Sequence, residues 1–187
     1  MSADFLNTAD PSCWPFAWVG LGANLPSQAG DPAHTLAQAV KAITAPADIT
    51  LSAASSRYRS SPVDSDGPTY CNQVIRLRTR LSAEALLHRL QTIEAAFGRE
   101  RPYRNAPRTL DLDVLLYGGP TQPGAERHDS PYLTLPHPRM HGRLFVLMPL
   151  VEIDPEIDIP GRGKASSLLA ALKNSGTDQI CEIQTEH

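Results

Sequence analysis

An alternating stretch at residues 70–81 constrains the fold of this chain more than any other feature. Apolar residues and threonine occupy one set of alternate positions and arginines the other: Ile75, Leu77, Thr79 and Leu81 against Arg76, Arg78 and Arg80. Because successive side chains of a strand point to opposite faces, the pattern predicts an antiparallel strand with one buried and one solvated face. Alternating arginines also occur on nucleic-acid-binding sheets, but a solvated face explains them more often.

The neighbouring segments predict a β-α-β-β-α-β order between Phe16 and Tyr117. Predicted strands cover residues 16–21, 49–58, 70–81 and 110–117. Asp31 and Ser82 are typical helix-capping residues, so the two helices of this unit are expected to begin there, and Gly98 is expected to end the second. Further helices are expected at residues 144–151 and 166–173. The order predicts an α+β fold with a ferredoxin-like core, in which helices flank an antiparallel sheet.

Composition indicates one globular domain. We expect residues 1–15 to form a flexible leader and residues 16–187 a single domain, because 187 residues suffice for one core. The net charge of -3 argues against a general nucleic-acid binder. No apolar run approaches the roughly 20 residues of a membrane span. Three distant cysteines without metal-ligand spacing indicate reduced thiols, and hence a cytoplasmic protein without membrane partners.

The chemistry of the sequence is concentrated in residues 99–117. Four arginines and two prolines predict an irregular, basic loop: Arg99, Arg101, Arg104 and Arg108, with Pro102 and Pro107. On the strand that follows, Asp111 and Asp113 share a face with Leu115. Two adjacent carboxylates favour Mg²⁺, which takes oxygen ligands and substrate phosphates. The alternative is that the aspartates form surface ion pairs with the neighbouring arginines.

Two further candidates remain open from the residues alone. His137 stands between two prolines, and with Arg139, His141 and Arg143 it indicates a second anion-facing edge, although a single loop histidine is more often structural. A functional role for Glu94 is no better supported than that of an exposed acid. The glycines at 161 and 163 precede Lys164 without the spacing of a phosphate-binding loop.

Six motifs together resemble the 6-hydroxymethyl-7,8-dihydropterin pyrophosphokinase family of folate biosynthesis. They are Gly22-x-Asn24-Leu25, Ser61-Pro62, Tyr70-x-Asn72, Glu94 before Gly98-Arg99, Arg108-Thr109-Leu110-Asp111-Leu112-Asp113 and Leu133-Thr134-Leu135-Pro136-His137. The resemblance covers residues 19–157. It implies an ATP- and Mg-dependent enzyme that transfers the diphosphate of ATP to the hydroxymethyl group of the dihydropterin and releases AMP.

The resemblance also implies roles for individual residues. Two Mg²⁺ ions are expected at Asp111 and Asp113, and catalysis is expected to use Arg99, Arg108, Asp111 and Asp113. Nucleotide-binding positions are Glu94, Arg99, Arg101, Arg108, Val114, His137 and Arg143. Pterin-binding positions are Ser60, Ser61, Pro62, Val63, Tyr70, Asn72 and Phe145. The expected partners are the two small substrates, without nucleic acid, and a monomer is expected.

One position departs from the family pattern. The family often carries a tryptophan in the loop before the Arg108 motif, and this chain has Asn105 there. A rival hypothesis is another Mg²⁺-dependent nucleotidyl or phosphoryl transferase on a ferredoxin-like palm, which predicts pyrophosphate as the product. A non-enzymatic rival is an RNA-binding module of the same topology, but the arginine strand lacks the paired aromatics on which such modules stack bases.

Overall fold

A six-stranded antiparallel sheet forms the centre of the computed structural model, which describes residues 10–62, 67–99, 108–119, 124–177 and 179–184. Its strands are β1 (Phe16–Ala23), β2 (Ile49–Ala54), β3 (Tyr58–Ser60), β4 (Tyr70–Thr79), β5 (Asp111–Gly118) and β10 (Cys181–Ile183). The order is β10-β3-β4-β1-β5, and β2 also pairs with β4. Two short pairs complete the strands: β6 (His128–Asp129) with β7 (Thr134–Leu135), and β8 (Asp158–Ile159) with β9 (Gly163–Lys164).

Two helices cover one face of the sheet and close the ferredoxin-like unit. Asp31 accepts a hydrogen bond from the His34 amide and starts α1 (Pro32–Thr44), while Ser82 caps α2 (Ala83–Ala96) in the same way. Gly98 follows α2 with a φ of 76°, a conformation that glycine adopts without a steric penalty. The predicted α+β fold and both helix starts are confirmed.

Two more helices cover the other face, α3 (Leu144–Ile153) and α4 (Ala165–Asn174). They pack on a second core that includes Trp18, Val74 and Leu147. Leu115, which shares a face with Asp111 and Asp113, belongs to this core and is only 2% exposed, so the helices cover this face at Leu115. The sheet is therefore buried on both sides along most of its length. The aspartates that precede Leu115 lie beyond the covered part.

The predicted strand at residues 49–58 is two strands. β2 pairs with one end of β4, where Ile49 is opposite Thr79, and β3 pairs with the other end, where Tyr58 is opposite Asn72. The connection is held by side chains, because the Ser56 amide donates to a carboxylate oxygen of Glu152 at 2.8 Å. Alternation alone does not reveal such an interruption.

The arginine row of β4 contacts aromatic rings and an acid. The guanidinium of Arg78 lies 4.0 Å from the centroid of Phe16, and that of Arg80 lies 5.9 Å from the ring of Trp14. Arg76 donates to Asp154 at 3.0 Å. Trp14 is only 6% exposed, so this end of the predicted flexible leader packs against the domain. Among the described residues, no helix is both long and apolar enough to cross a membrane.

Candidate active site

A row of residues crosses four strands on the face that carries α3. Tyr58 is opposite Asn72, Asn72 is opposite Gly22, and Gly22 is opposite Asp111. In the next row, Gly20 stands between Val74 and Asp113. The pterin-binding and metal-binding positions predicted from sequence thus share one surface.

The two glycines form the floor between the two sides of this surface. A Cβ atom at Gly22 would lie 3.3 Å from Oδ1 of Asn72, which is tighter than ordinary contact. A larger side chain there would also rise from the strand between Asn72 and Asp111. Gly22 is buried, and a Cβ atom at Gly20 would lie 3.4 Å from the Leu115 side chain, so the two glycines let neighbouring groups approach the strand closely.

Arginines surround Asp111. Its two carboxylate oxygens each lie 2.5 Å from a guanidinium nitrogen, one of Arg99 and one of Arg108. The predicted arginine–aspartate ion pairs therefore exist, but they are not surface ion pairs, because the side chains of all three residues are at most 22% exposed. Guanidinium groups held in this way are suited to bind phosphate oxygens by two parallel hydrogen bonds.

Glu94 is the residue that fixes this arrangement. It is only 3% exposed, so the alternative of a simple exposed acid is wrong. Its carboxylate accepts a hydrogen bond from the Leu112 amide at 2.6 Å and another from Arg99. The Leu112 contact ties α2 to β5 between the two aspartates, and the Arg99 contact directs that guanidinium towards Asp111.

Asp113 differs from Asp111 in its surroundings. Although its side chain is partly exposed, desolvation of the carboxyl group, followed by the charge of Asp111, raises the pKa of Asp113 to about 6. The two adjacent carboxylates offer oxygen ligands of the kind that a divalent metal ion takes, so the donor set fits such an ion. Within the described residues no group of three or more histidine, cysteine or acidic side chains gathers around one point. A metal ion here would therefore need further oxygen ligands, such as substrate phosphates.

His137 faces Asp113 in a neutral form. Burial, followed by the charges of Arg143 and Arg139, lowers the pKa of His137 to about 4. Its Nδ1 accepts from the Arg139 amide at 3.3 Å, so the ring proton belongs on Nε2, which lies 3.9 Å from Asp113. The backbone amide of His137 donates to Leu115 at 2.9 Å, and the preceding Leu135–Pro136 peptide bond is cis. The histidine thus presents an N–H donor beside the carboxylates.

Of three other predicted positions, two lie at the start of α3 and one lies on the opposite face of the sheet. The guanidinium of Arg143 is 5.3 Å from the ring centroid of Phe145, at the start of α3. Val114 is 3% exposed and belongs to the core on the α1 and α2 side, so it lies on the opposite face from Asp113. Val63 and Arg101 lie outside the described residues.

The positions predicted from sequence to bind the pterin are held by hydrogen bonds between neutral groups. Asn72, which is 4% exposed, donates from its amide to the Ser60 hydroxyl at 2.8 Å. The Ser61 amide donates to the Ile180 carbonyl at 3.3 Å, and Tyr70 is opposite Ser60 in the ladder. Pro62 follows at the end of this described segment and is partly buried.

Asn24 joins the two sides, and the sequence reasoning assigned it no role. Its Oδ1 accepts from the Arg108 amide at 2.8 Å, and its Nδ2 donates to the Pro68 carbonyl at 3.2 Å. The amides of Asn24 and Leu25 also both donate to the Arg108 carbonyl. The Gly22-x-Asn24-Leu25 motif marked this position in the sequence. It did not reveal the hydrogen-bond partners of Asn24, which lie 44 and 84 residues away along the chain.

A cavity of about 560 Å³ adjoins this centre. It is lined by residues 127–129, 134–138, 140–141 and 159–162. His137 and His141, both of the anion-facing edge predicted from sequence, line it. Asn72, Asp111 and Asp113 do not line this cavity.

Comparison with known proteins identifies the family. The sequence model described as 7,8-dihydro-6-hydroxymethylpterin-pyrophosphokinase (HPPK) matches residues 18–155, which include both sides of the site. The chain belongs to the HPPK family. A relative from Methylorubrum extorquens, named 2-amino-4-hydroxy-6-hydroxymethyldihydropteridine pyrophosphokinase, is 39% identical over 88% of this chain and 98% of its own length. A relative of the same name from Haemophilus influenzae is 41% identical over 77% of this chain and 84% of its own length.

Solved structures show the same fold. A crystal structure of HPPK-DHPS in complex with substrates matches with a TM-score of 0.63 at 12% identity, over 87% of this chain and 44% of that one. The HPPK-DHPS of Plasmodium falciparum matches with a TM-score of 0.60 at 12% identity, over 84% of this chain and 44% of that one. This chain therefore spans less than half the length of those solved chains. At this identity the match concerns the HPPK fold alone.

Proposed function

We infer that this chain transfers the pyrophosphoryl group of ATP to the hydroxymethyl group of 6-hydroxymethyl-7,8-dihydropterin, releasing AMP, in folate biosynthesis. Membership of the HPPK family supports the reaction. The observation that carries the residue roles is the row in which Asn72 and Asp111 flank Gly22. A pterin against Asn72 and a nucleotide against Asp111 would meet across a glycine floor, which suits transfer between two substrates.

The arginines are proposed to bind the nucleotide phosphates. Arg99 and Arg108 already hold one carboxylate between them, so phosphate oxygens would replace or share an existing anionic partner. Because Glu94 forms an ion pair with Arg99, the guanidinium group would keep its orientation when phosphate oxygens replace the Asp111 carboxylate. His137, neutral with its proton on Nε2, adds a hydrogen-bond donor without adding charge.

The aspartates are proposed to hold the two Mg²⁺ ions of an ATP-dependent reaction. Asp111 and Asp113 lie on one face of β5, and desolvation followed by the charge of Asp111 raises the pKa of Asp113. Bound Mg²⁺ would neutralise charge on the phosphates, which is the main electrostatic need of phosphoryl-type transfer. The chain's own contribution is alignment and donors, because the described surface carries no strong general base.

The pterin is proposed to bind where Asn72 is held by Ser60. The fixed amide of Asn72 would recognise the polar edge of the pterin, with Ser61, Pro62 and Val63 beside it. Tyr70 and Phe145 would contact the faces of the ring. We also propose that the enzyme acts as a monomer in the cytoplasm. Light scattering after size-exclusion chromatography tests whether it is a monomer.

The nucleotide product tests this function. The protein is incubated with Mg-ATP and 6-hydroxymethyl-7,8-dihydropterin, and the products are identified by ³¹P NMR and chromatography. AMP and a diphosphorylated pterin are expected in equal amounts, with neither formed when the pterin is omitted. Formation of ADP contradicts transfer of the intact pyrophosphoryl group, and formation of free pyrophosphate with an adenylated pterin favours the nucleotidyl transferase.

A further inference from the structure

Glu152, near the end of α3, accepts three hydrogen bonds from the segment that leads into β3. Its Oε1 accepts from the amide and the hydroxyl of Ser56, each at 2.8 Å, and its Oε2 accepts from the Tyr58 hydroxyl at 2.7 Å. Partial burial acts to raise the pKa of Glu152, but these hydrogen bonds hold it below its ordinary value. The carboxylate is thus the common acceptor of this segment.

The segment held by Glu152 is the one that orients Asn72. Tyr58 is 4% exposed and stands directly opposite Asn72 in the ladder, and Ser60, two residues further on the same face, accepts the Asn72 hydrogen bond. β3 has only three residues, so its ladders with β4 and β10 are both short. The hydrogen bonds of Glu152 to Ser56 and Tyr58 therefore add to these ladders in fixing where Ser60 lies.

Glu152 also belongs to the helix that carries Phe145. Both residues are part of α3, with Phe145 in its first turn and Glu152 in its last. The hydrogen bonds of Glu152 therefore fix the separation between the ring-contacting helix and the strand beside Asn72. A change of this separation alters the pterin pocket and leaves Arg108 and Asp111, on the far side of β1, in place.

We propose that Glu152, acting through Tyr58 and Ser56, is a positioning residue for the pterin. It holds β3 so that Ser60 keeps the Asn72 amide in its binding orientation, and it holds α3 at the matching distance. The proposal rests on the proposed function, because it names a determinant of the same pterin pocket. Glu152 itself touches neither substrate nor reacting atoms.

Steady-state kinetics of three variants test the proposal. Glu152→Ala removes all three hydrogen bonds and is expected to raise the KM for the pterin about tenfold. Tyr58→Phe removes one and is expected to raise it about threefold. In both, the KM for ATP and kcat stay within twofold of the wild-type values. Glu152→Gln keeps an acceptor for Ser56 and is expected to recover most of the pterin KM.

Glu182→Ala is the matched control. Glu182 pairs with Arg59 at 3.1 Å on the exposed side of the same strand, so its loss perturbs β3 without touching the Tyr58 contact. Its KM for the pterin is expected to match the wild type. Calorimetric titration of the pterin into each variant, with a non-hydrolysable ATP analogue bound, is expected to show the same order of affinities.

The proposal is overturned if folded Glu152→Ala and Tyr58→Phe keep the wild-type KM and affinity for the pterin. It is also overturned if the KM for ATP rises as much as the KM for the pterin. If Glu152→Ala does not fold, Tyr58→Phe decides. Wild-type protein that forms no AMP contradicts the proposed function instead, and the calorimetric comparison then decides the positioning role separately.

Discussion

The proposed phosphate side and the proposed pterin side of this site are built in opposite ways. The proposed phosphate side consists mainly of ionised groups from one stretch of chain, from Glu94 on α2 to Asp113 on β5, to which neutral His137 is added from a later loop. The pterin side consists mainly of neutral hydrogen-bonding and aromatic groups brought together from β3, β4 and α3. The difference shows that charge complementarity can be encoded locally, whereas a shaped polar pocket needs tertiary contacts.

The two sides also differ in how well their polar and charged groups are compensated by neighbouring groups. Ser60 and Asn72 are buried and hydrogen-bonded to each other. Asp111 and Asp113 are like charges on one face, and the raised pKa of Asp113 shows that the folded protein opposes its ionisation. Unfavourable ionisation of this kind is typical of functional sites, where charged groups are placed to bind a ligand even when this lowers stability. The following predictions exploit this difference.

The largest effect is expected for Asp113→Ala. Loss of a proposed metal-binding carboxylate should lower AMP formation by more than about 1,000-fold, since such charges act directly on the reacting phosphates. Removal of a repelling carboxylate should leave the melting temperature equal or higher at pH 7. Turnover is measured by AMP release and stability by thermal unfolding. Near-normal turnover in a folded variant contradicts the metal assignment.

Glu94→Ala should combine a loss of stability with a loss of activity. It leaves the Leu112 amide without this acceptor and removes a carboxylate from the buried Arg99, which is expected to cost about 3 kcal/mol. Urea unfolding measures the change. The control is Glu84→Ala on the same helix, where an exposed pair with His128 should contribute less than about 1 kcal/mol. Equal destabilisation by both changes would show that Glu94 has no special structural role.

A smaller effect is expected for Asn24→Asp, which affects the link between the two sides. Aspartate still accepts from Arg108 but cannot donate to the Pro68 carbonyl, so one hydrogen bond becomes a repulsion. We expect both KM values, for ATP and for the pterin, to rise about fivefold. Asn174→Asp, the same change at an exposed position, is the control. A rise in one KM alone would mean that Asn24 serves one side only.

The smallest effect concerns acid stability on the pterin side. Because the pKa of Glu152 is lower in the folded protein, its contribution to stability is present at neutral pH and is lost as the pH falls through and below about 4, the usual glutamate range. Glu152→Gln lacks this titration, so its free energy of unfolding should fall less steeply between about pH 5 and pH 3. Parallel pH profiles of wild type and variant would contradict the assignment.

Much of the phosphate side could be predicted from the sequence because its groups are close along the chain. Asp111 and Asp113 lie on one face by strand alternation alone, and the arginines precede them directly. The burial of Glu94 was not predictable in this way, since it depends on how α2 packs against β5. For Glu152 the sequence offered no signal, because its partners Ser56 and Tyr58 are 96 and 94 residues away.

The fold shows the same limit. The two helix caps and the glycine stop at Gly98 follow from local chemistry and were predicted, whereas the C-terminal strand β10 was not. The burial of Leu115 and the division of residues 49–58 into two strands were not, because both depend on α3, a helix from a later part of the chain. Local patterns define elements, and the second layer of helices decides which of their faces are covered.

The division of the site into two sides is tested most directly by crossed kinetics of Asn72→Ala and Arg108→Ala. Each variant is assayed for its KM values towards ATP and towards the pterin. The account predicts that Asn72→Ala raises the pterin KM about tenfold or more with little change for ATP, and that Arg108→Ala does the reverse. If both variants raise both KM values to the same extent, the two sides do not bind separate substrates and the account is contradicted.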